Sequence, residues 1–138
     1  MSKEIQNKNE NENENDKKKV INVKVSELRK NGFSSLEDWL SASSFHIYIG
    51  RNMSFYVKGA EKSVWHNPFP IKKYGLAKSL ELYEKHVRQS PQLWNNLESL
   101  KDKTLGCWCA PNPCHGDILL ALIEEKLLNS TKNKNDFT

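Results

Sequence analysis

Val20-Ile21-Asn22-Val23-Lys24-Val25 alternates apolar and polar side chains and is rich in β-branched residues, so a strand with one buried face is expected there. Ser34-Ser35-Leu36-Glu37 has the Ser-x-x-Glu form of a capping box, and Leu36, Trp39 and Leu40 follow at helical spacing, which predicts a short helix. Phe45-His46-Ile47-Tyr48-Ile49 predicts a second strand, closed by Gly50-Arg51. From Asn52 to Pro70 the periodicity fails, and Gly59, Pro68 and Pro70 punctuate a loop long enough to carry function. Leu76, Leu80, Tyr83 and Val87 then mark one face of a helix. Ser90-Pro91 supplies the N-cap and first position of another, carrying Leu93, Trp94, Leu97 and Leu100. Thr104 to Cys109 has strand character, and Ile118, Leu119, Leu122, Ile123 and Leu127 form the apolar stripe of a final helix.

Strands that alternate with helices predict an α/β fold: a small, mostly parallel sheet of about three strands covered by helices, with Rossmann-like layering. The expected organisation is one domain over residues 20–128 between two disordered tails, 1–19 and 129–138. The first tail carries Asn9-Glu10-Asn11-Glu12-Asn13-Glu14-Asn15 and Lys17-Lys18-Lys19. Such a segment has too little apolar surface to offset the entropy of ordering it. No run has the apolar core of a signal peptide or the roughly 18 consecutive apolar residues of a membrane span, so an intracellular location, cytoplasmic or nuclear, is expected.

The formal net charge is +4, and five lysines balance five acids in the first nineteen residues, so the excess lies beyond them. That is mildly basic. Lys58, Lys62, Lys72, Lys73 and Lys78 would form a nucleic-acid footprint only if they shared one face; the plainer expectation is a solvated surface.

All three cysteines fall between residues 107 and 114, too close to form the framework of a secreted disulfide protein. Along an extended strand Cys107 and Cys109 point to one face and Trp108 to the other. Asn112-Pro113 has the form of an N-cap followed by proline, which puts Cys114 and His115 in the opening turn of the last helix. Free N–H groups gather there, favouring an anion or a thiolate. In open α/β sheets ligands bind outside the carboxyl ends of strands, here Gly50-Arg51 and the turn from Cys109. A pocket joining Arg51, Trp65, Asn67 and Cys109 as ligand contacts with Cys114, His115 and Asp117 as catalytic candidates is expected.

Several readings of the cluster stand side by side. Cys107, Cys109, Cys114 and His115 are the right types to hold zinc, although neighbouring Cys114 and His115 are awkward joint ligands. Cys114 could be a nucleophile whose proton passes to His115 or His66. The turn could bind a nucleotide-like or other anionic small molecule, with Arg51 making bidentate contacts. The cysteines could also be small core residues, with Gly116 present for close packing and Asp117 for its favourable charge in a first helical turn. Trp65 could stack on a ring or anchor its loop, and His46 and His86 are expected to be core or surface histidines.

Tyr48-Ile49-Gly50-Arg51, Trp65-His66-Asn67-Pro68-Phe69 and Gly106-Cys107-Trp108-Cys109-Ala110-Pro111-Asn112-Pro113-Cys114-His115-Gly116-Asp117 together resemble the domain of unknown function 4326 family over roughly residues 20–128. The resemblance implies a small α/β domain and brings no reaction with it. The stretch from Arg51 to Trp65 is longer than the family's, and His66 stands where glycine is usual. The leading expectation is a domain that binds or processes an anionic small molecule. The alternative is a non-catalytic zinc-stapled module that binds protein or nucleic acid.

Overall fold

The computed structural model describes residues 20–136, with side-chain environments as far as residue 129. The expected tail over 1–19 lies outside the described residues. Three short strands, β1 (Val20–Asn22), β2 (His46–Tyr48) and β3 (Thr104–Cys107), form one parallel sheet in the order β1-β3-β2. Val20 pairs with Leu105, and Ile47 pairs with Leu105 from the other side. The α/β class and the three parallel strands expected from the periodicity are present.

The first strand is shorter than its alternation suggests. Asn22 ends it: its Oδ1 accepts the Lys24 N–H at 2.9 Å and its Nδ2 donates to the Ala110 carbonyl at 2.8 Å. That turn starts helix α1 (Val25–Lys30) at a residue expected to be strand, and Leu28 is its buried anchor. Helix α2 (Leu36–Ala42) is capped one residue later than the Ser-x-x-Glu pattern indicates. Ser35 Oγ accepts the Asp38 N–H at 3.1 Å, and Asp38 Oδ2 accepts the Ser34 N–H at 2.8 Å. Aspartate thus takes the reciprocal role expected of Glu37.

Between β2 and β3 run α3 (Ile71–Tyr74), α4 (Leu76–Gln89), α5 (Pro91–Asn96) and a 3₁₀ turn over Leu97–Leu100. Ser90 caps α5 as its sequence indicates, accepting the Leu93 N–H at 3.3 Å, with Pro91 at the first helical position. The expected helix through Leu100 tightens into 3₁₀ geometry, which turns Leu97 and Leu100 into the core. Helix α6 (His115–Asp136) closes the fold and continues past residue 129, where a tail was expected. An established helix extends at little cost per residue through sequences that could not nucleate one.

Each face of the sheet has its own core. On one, Ile49, Tyr83, Leu97, Leu105, Leu119 and Leu122 are buried together under α4, the 3₁₀ turn and α6. On the other, Val23, Leu28, Leu36, Trp39, Tyr48 and Ala60 pack under α1 and α2. Gly106, in the central strand, makes the second core compact. A Cβ there would lie 2.6 Å from Val23 Cγ1 and 2.9 Å from the Trp39 ring, so only hydrogen lets both approach. Arg88 of α4 grips α6 through Glu125 at 2.7 and 2.8 Å. No helix among the described residues is long and apolar enough to cross a membrane.

Candidate functional site

Strands β2 and β3 are neighbours and end side by side, so the loops that leave them face each other. Tyr48 ties the two loops. Its hydroxyl donates to the Arg51 carbonyl at 2.6 Å and accepts the Trp108 Nε1–H at 2.7 Å. Burial raises the pKa of the phenol, more than the Trp108 donor and the Arg51 charge lower it.

A third wall comes from the loop before α3. Asn67 Oδ1 accepts the Phe69 N–H at 2.9 Å, and its Nδ2 donates to Ser79 Oγ at 2.9 Å. Ser79 in turn donates to the Phe69 carbonyl at 2.6 Å. Both ends of the Asn67 amide are therefore committed to shaping the turn that presents Phe69, which is the positional reason for asparagine before Pro68.

The fourth wall is the start of α6, which begins later than Asn112-Pro113 suggests: His115 is its first residue. Cys114 occupies the cap position. Its Sγ accepts the Gly116 N–H at 3.3 Å, and Asp117 Oδ2 reaches back to the Cys114 N–H at 3.0 Å. This is the reciprocal arrangement of a capping box with a sulfur in place of the hydroxyl. Proline at 113 therefore precedes the cap instead of following it. Gly116 admits the helix against the sheet, since a Cβ there would be 3.0 Å from Ile49 Cδ1 and from Val20 Cγ1.

These walls enclose a cavity of about 470 Å³ at the carboxyl ends of β2 and β3. Arg51, Asn67, Cys107, Cys109, Cys114 and His115 all line it. The structure also brings in residues that sequence reasoning did not single out for the site: Phe69, Ile71, Leu80, Trp108 and the cation Lys72. Lys72 had appeared only as one of several basic surface positions; the short helix α3, which carries it, has no periodic signature. Two candidates lie elsewhere. Trp65 is 5% exposed within the first core, where its carbonyl accepts the Tyr83 hydroxyl at 2.6 Å, so it anchors its loop instead of lining the cavity. Asp117 is exposed and bound into the helix cap.

Sulfur chemistry in the wall is concentrated in one pair. Cys107 Sγ and Cys114 Sγ are 3.2 Å apart and both residues are buried. The Cys114 thiol, donating to Cys107, lowers the Cys107 pKa to about 7, and the backbone N–H groups of Cys109 and Ala110 add to the effect. Cys114 is pushed the other way by the proton it shares with Cys107 and by burial. The more acidic thiol is thus the one on the strand, whereas the helix N-terminus alone would favour Cys114. Cys109 is half-buried, with its pKa raised by desolvation and then by its proximity to Cys107.

His115 faces the carbonyl of Ile49, with Nε2 at 2.7 Å, and its ring lies edge-on to Tyr83 at 5.1 Å. A carbonyl accepts, so Nε2 carries a proton. Burial lowers the His115 pKa, more than its bond to Ile49 raises it. The four candidate zinc ligands do not converge: two sulfurs meet, while the imidazole is turned to a backbone oxygen. No group of three or more His, Cys, Asp or Glu side chains is placed to hold a metal ion among the described residues.

A pH dependence follows. The folded state disfavours imidazolium at position 115, so this residue's contribution to stability is complete above about pH 6.5, the unfolded value, and is lost as pH falls below it toward the folded value. His115→Gln, which can still donate to Ile49, is expected to flatten the fall in melting temperature between pH 7.5 and pH 5. A fall of unchanged size in the variant would assign the dependence to other groups.

Residues 28–125 match the family model described as Domain of unknown function (DUF4326), and the chain belongs to that family. It is also similar to Uncharacterized protein R718 of Acanthamoeba polyphaga mimivirus, with 38% identity over 85 residues, covering 55% of this chain and 65% of that protein. The chain therefore spans somewhat less than two thirds of that relative's length. No solved structure matches.

Proposed function

We propose that this member of the DUF4326 family binds a small anionic molecule of nucleotide size in the cavity at the strand ends. The observation that carries the reading is the charge balance of the wall. Arg51 and Lys72 both line the cavity, and no carboxylate does. Among the described residues neither cation has an ion-pair partner, although Lys58, Lys78, Lys85, Arg88 and Lys126 all find glutamates. A guanidinium is suited to bidentate contact with phosphate or carboxylate. The remaining surface, from Phe69, Ile71, Leu80 and Trp108, suits a ring or other apolar body. The volume falls within the range of about 300–1,000 Å³ usual for small-molecule sites.

Titration calorimetry of the full chain against nucleoside mono-, di- and triphosphates, with inorganic phosphate as a control, tests this. At least one nucleotide is expected to bind, with affinity falling as salt rises. Arg51→Ala should weaken it by about 10- to 150-fold, the loss of one charge-assisted hydrogen-bonding group of 1.5–3 kcal/mol. Binding that is indifferent to both Arg51 and Lys72, or absent across the panel, would sink the reading.

A further inference from the structure

The pair Cys107 and Cys114 has a geometry that packing alone does not require. Both residues are almost fully buried, yet both border the cavity, so a small molecule entering it can touch sulfur that a protein partner cannot reach. The sulfurs are already 3.2 Å apart. A disulfide requires them to close by only about 1 Å, to roughly 2.05 Å. One sulfur ends a strand and the other caps a helix, so each is held by an ordered element while the turn between them can adjust. Each also has backbone donors: Gly116 N–H at 3.3 Å on Cys114, and the N–H groups of Cys109 and Ala110 directed at Cys107. Cys109 is not part of the contact; it is half-buried and its sulfur has no hydrogen-bond partner among the described residues.

We propose that Cys107 and Cys114 are a redox-active dithiol, in which Cys107 reacts with a small hydroperoxide in the cavity and Cys114 resolves the product to an intramolecular disulfide. In the first step Cys107 thiolate attacks one peroxide oxygen. The O–O bond breaks, an S–O bond forms, and hydroxide or alkoxide leaves, so sulfur is oxidised by two electrons and the peroxide is reduced. In the second step Cys114 sulfur attacks Cys107 sulfur; the S–S bond forms, the hydroxyl departs, and the Cys114 proton leaves with it as water. A thiol reductant reverses the change. The Cys114 thiol directed at Cys107 favours a thiolate at Cys107, consistent with His115 being turned to Ile49 and away from the pair. The chemistry does not depend on the anion-binding reading, because its readout is the state of the thiols.

The test is to expose the reduced full chain to stoichiometric hydrogen peroxide, quench, and count free thiols by maleimide labelling and intact mass. Three thiols are present at the start. The expected product has lost about 2 Da and takes up one label, at Cys109; dithiothreitol restores all three. In Cys109→Ser both remaining labels should vanish together, and the oxidation rate should rise with pH as the Cys107 thiol ionises. Cys114→Ser should leave a Cys107 sulfenic acid that dimedone captures. If that variant does not fold, the Cys109→Ser count still decides. Persistence of all three labels, stepwise gain of oxygen mass without paired loss, or a disulfide that includes Cys109 or a second chain would each overturn the proposal.

Discussion

Trp39→Ala is expected to lower the unfolding free energy by about 3–5 kcal/mol, the range for removing a buried tryptophan. Trp39 is 1% exposed and is the largest side chain of the second core. Its ring stacks on His46 with centroids 4.3 Å apart, and its backbone carbonyl holds His46 Nδ1 at 2.7 Å. The substitution leaves the carbonyl in place and removes the stacking partner. Its neighbours sit on short strands and helices joined through β3, so they have limited freedom to collapse into the space. Urea unfolding followed by circular dichroism measures the loss. A shift under about 1 kcal/mol would mean that α2 is not docked on the sheet as described.

Leu105→Ala probes the opposite face, with an expected loss of about 2–5 kcal/mol. Leu105 lies in the central strand between partners on both sides and is fully buried against the first core. The same experiment carries a second reading at the cavity. Cys107, two residues on, shares that face, and its 3.2 Å contact with Cys114 depends on where β3 ends. A loosened β3 should therefore slow or scatter the paired loss of thiols under peroxide even in conditions where the variant stays folded. A full-sized stability loss with unaltered thiol pairing would show that the cysteine turn is held by α6 instead.

Much of the fold is legible in the sequence, because strands and long helices leave periodic marks. The pattern Leu76, Leu80, Tyr83 and Val87 finds α4, and Ser90-Pro91 finds the start of α5. The misreadings cluster where a side chain overrides the local pattern. Val23-Lys24-Val25 continues the alternation of a strand, but the Asn22 amide redirects the backbone and Val25 enters a helix. Asn112-Pro113 has the composition of a cap, yet the Asp117 carboxylate selects Cys114. For the candidate site, the ends of two neighbouring strands bring Arg51 to the cysteine turn, which the crevice rule of α/β sheets anticipates. Lys72 and Phe69 were not legible as site residues, because they reach the cavity through a non-periodic segment pinned by Asn67, and Leu80 reads in sequence only as part of the apolar face of α4. Which sulfur is the more acidic was also beyond sequence, since it depends on a contact between residues seven apart across a turn.

The strand order has a consequence for how the chain comes together during synthesis. β1 and β2 are not neighbours; among the described residues each finds its only sheet partner in β3, with Val20 waiting for Leu105 and His46 for Thr104. A nascent chain, or any truncation ending before Thr104, thus holds two strands with nothing to pair with and two half-cores with no floor between them. Among the described residues, no pair of the sheet can be assembled before β3 is present. The last quarter of the chain decides, in one late event, whether the earlier elements become a structure at all.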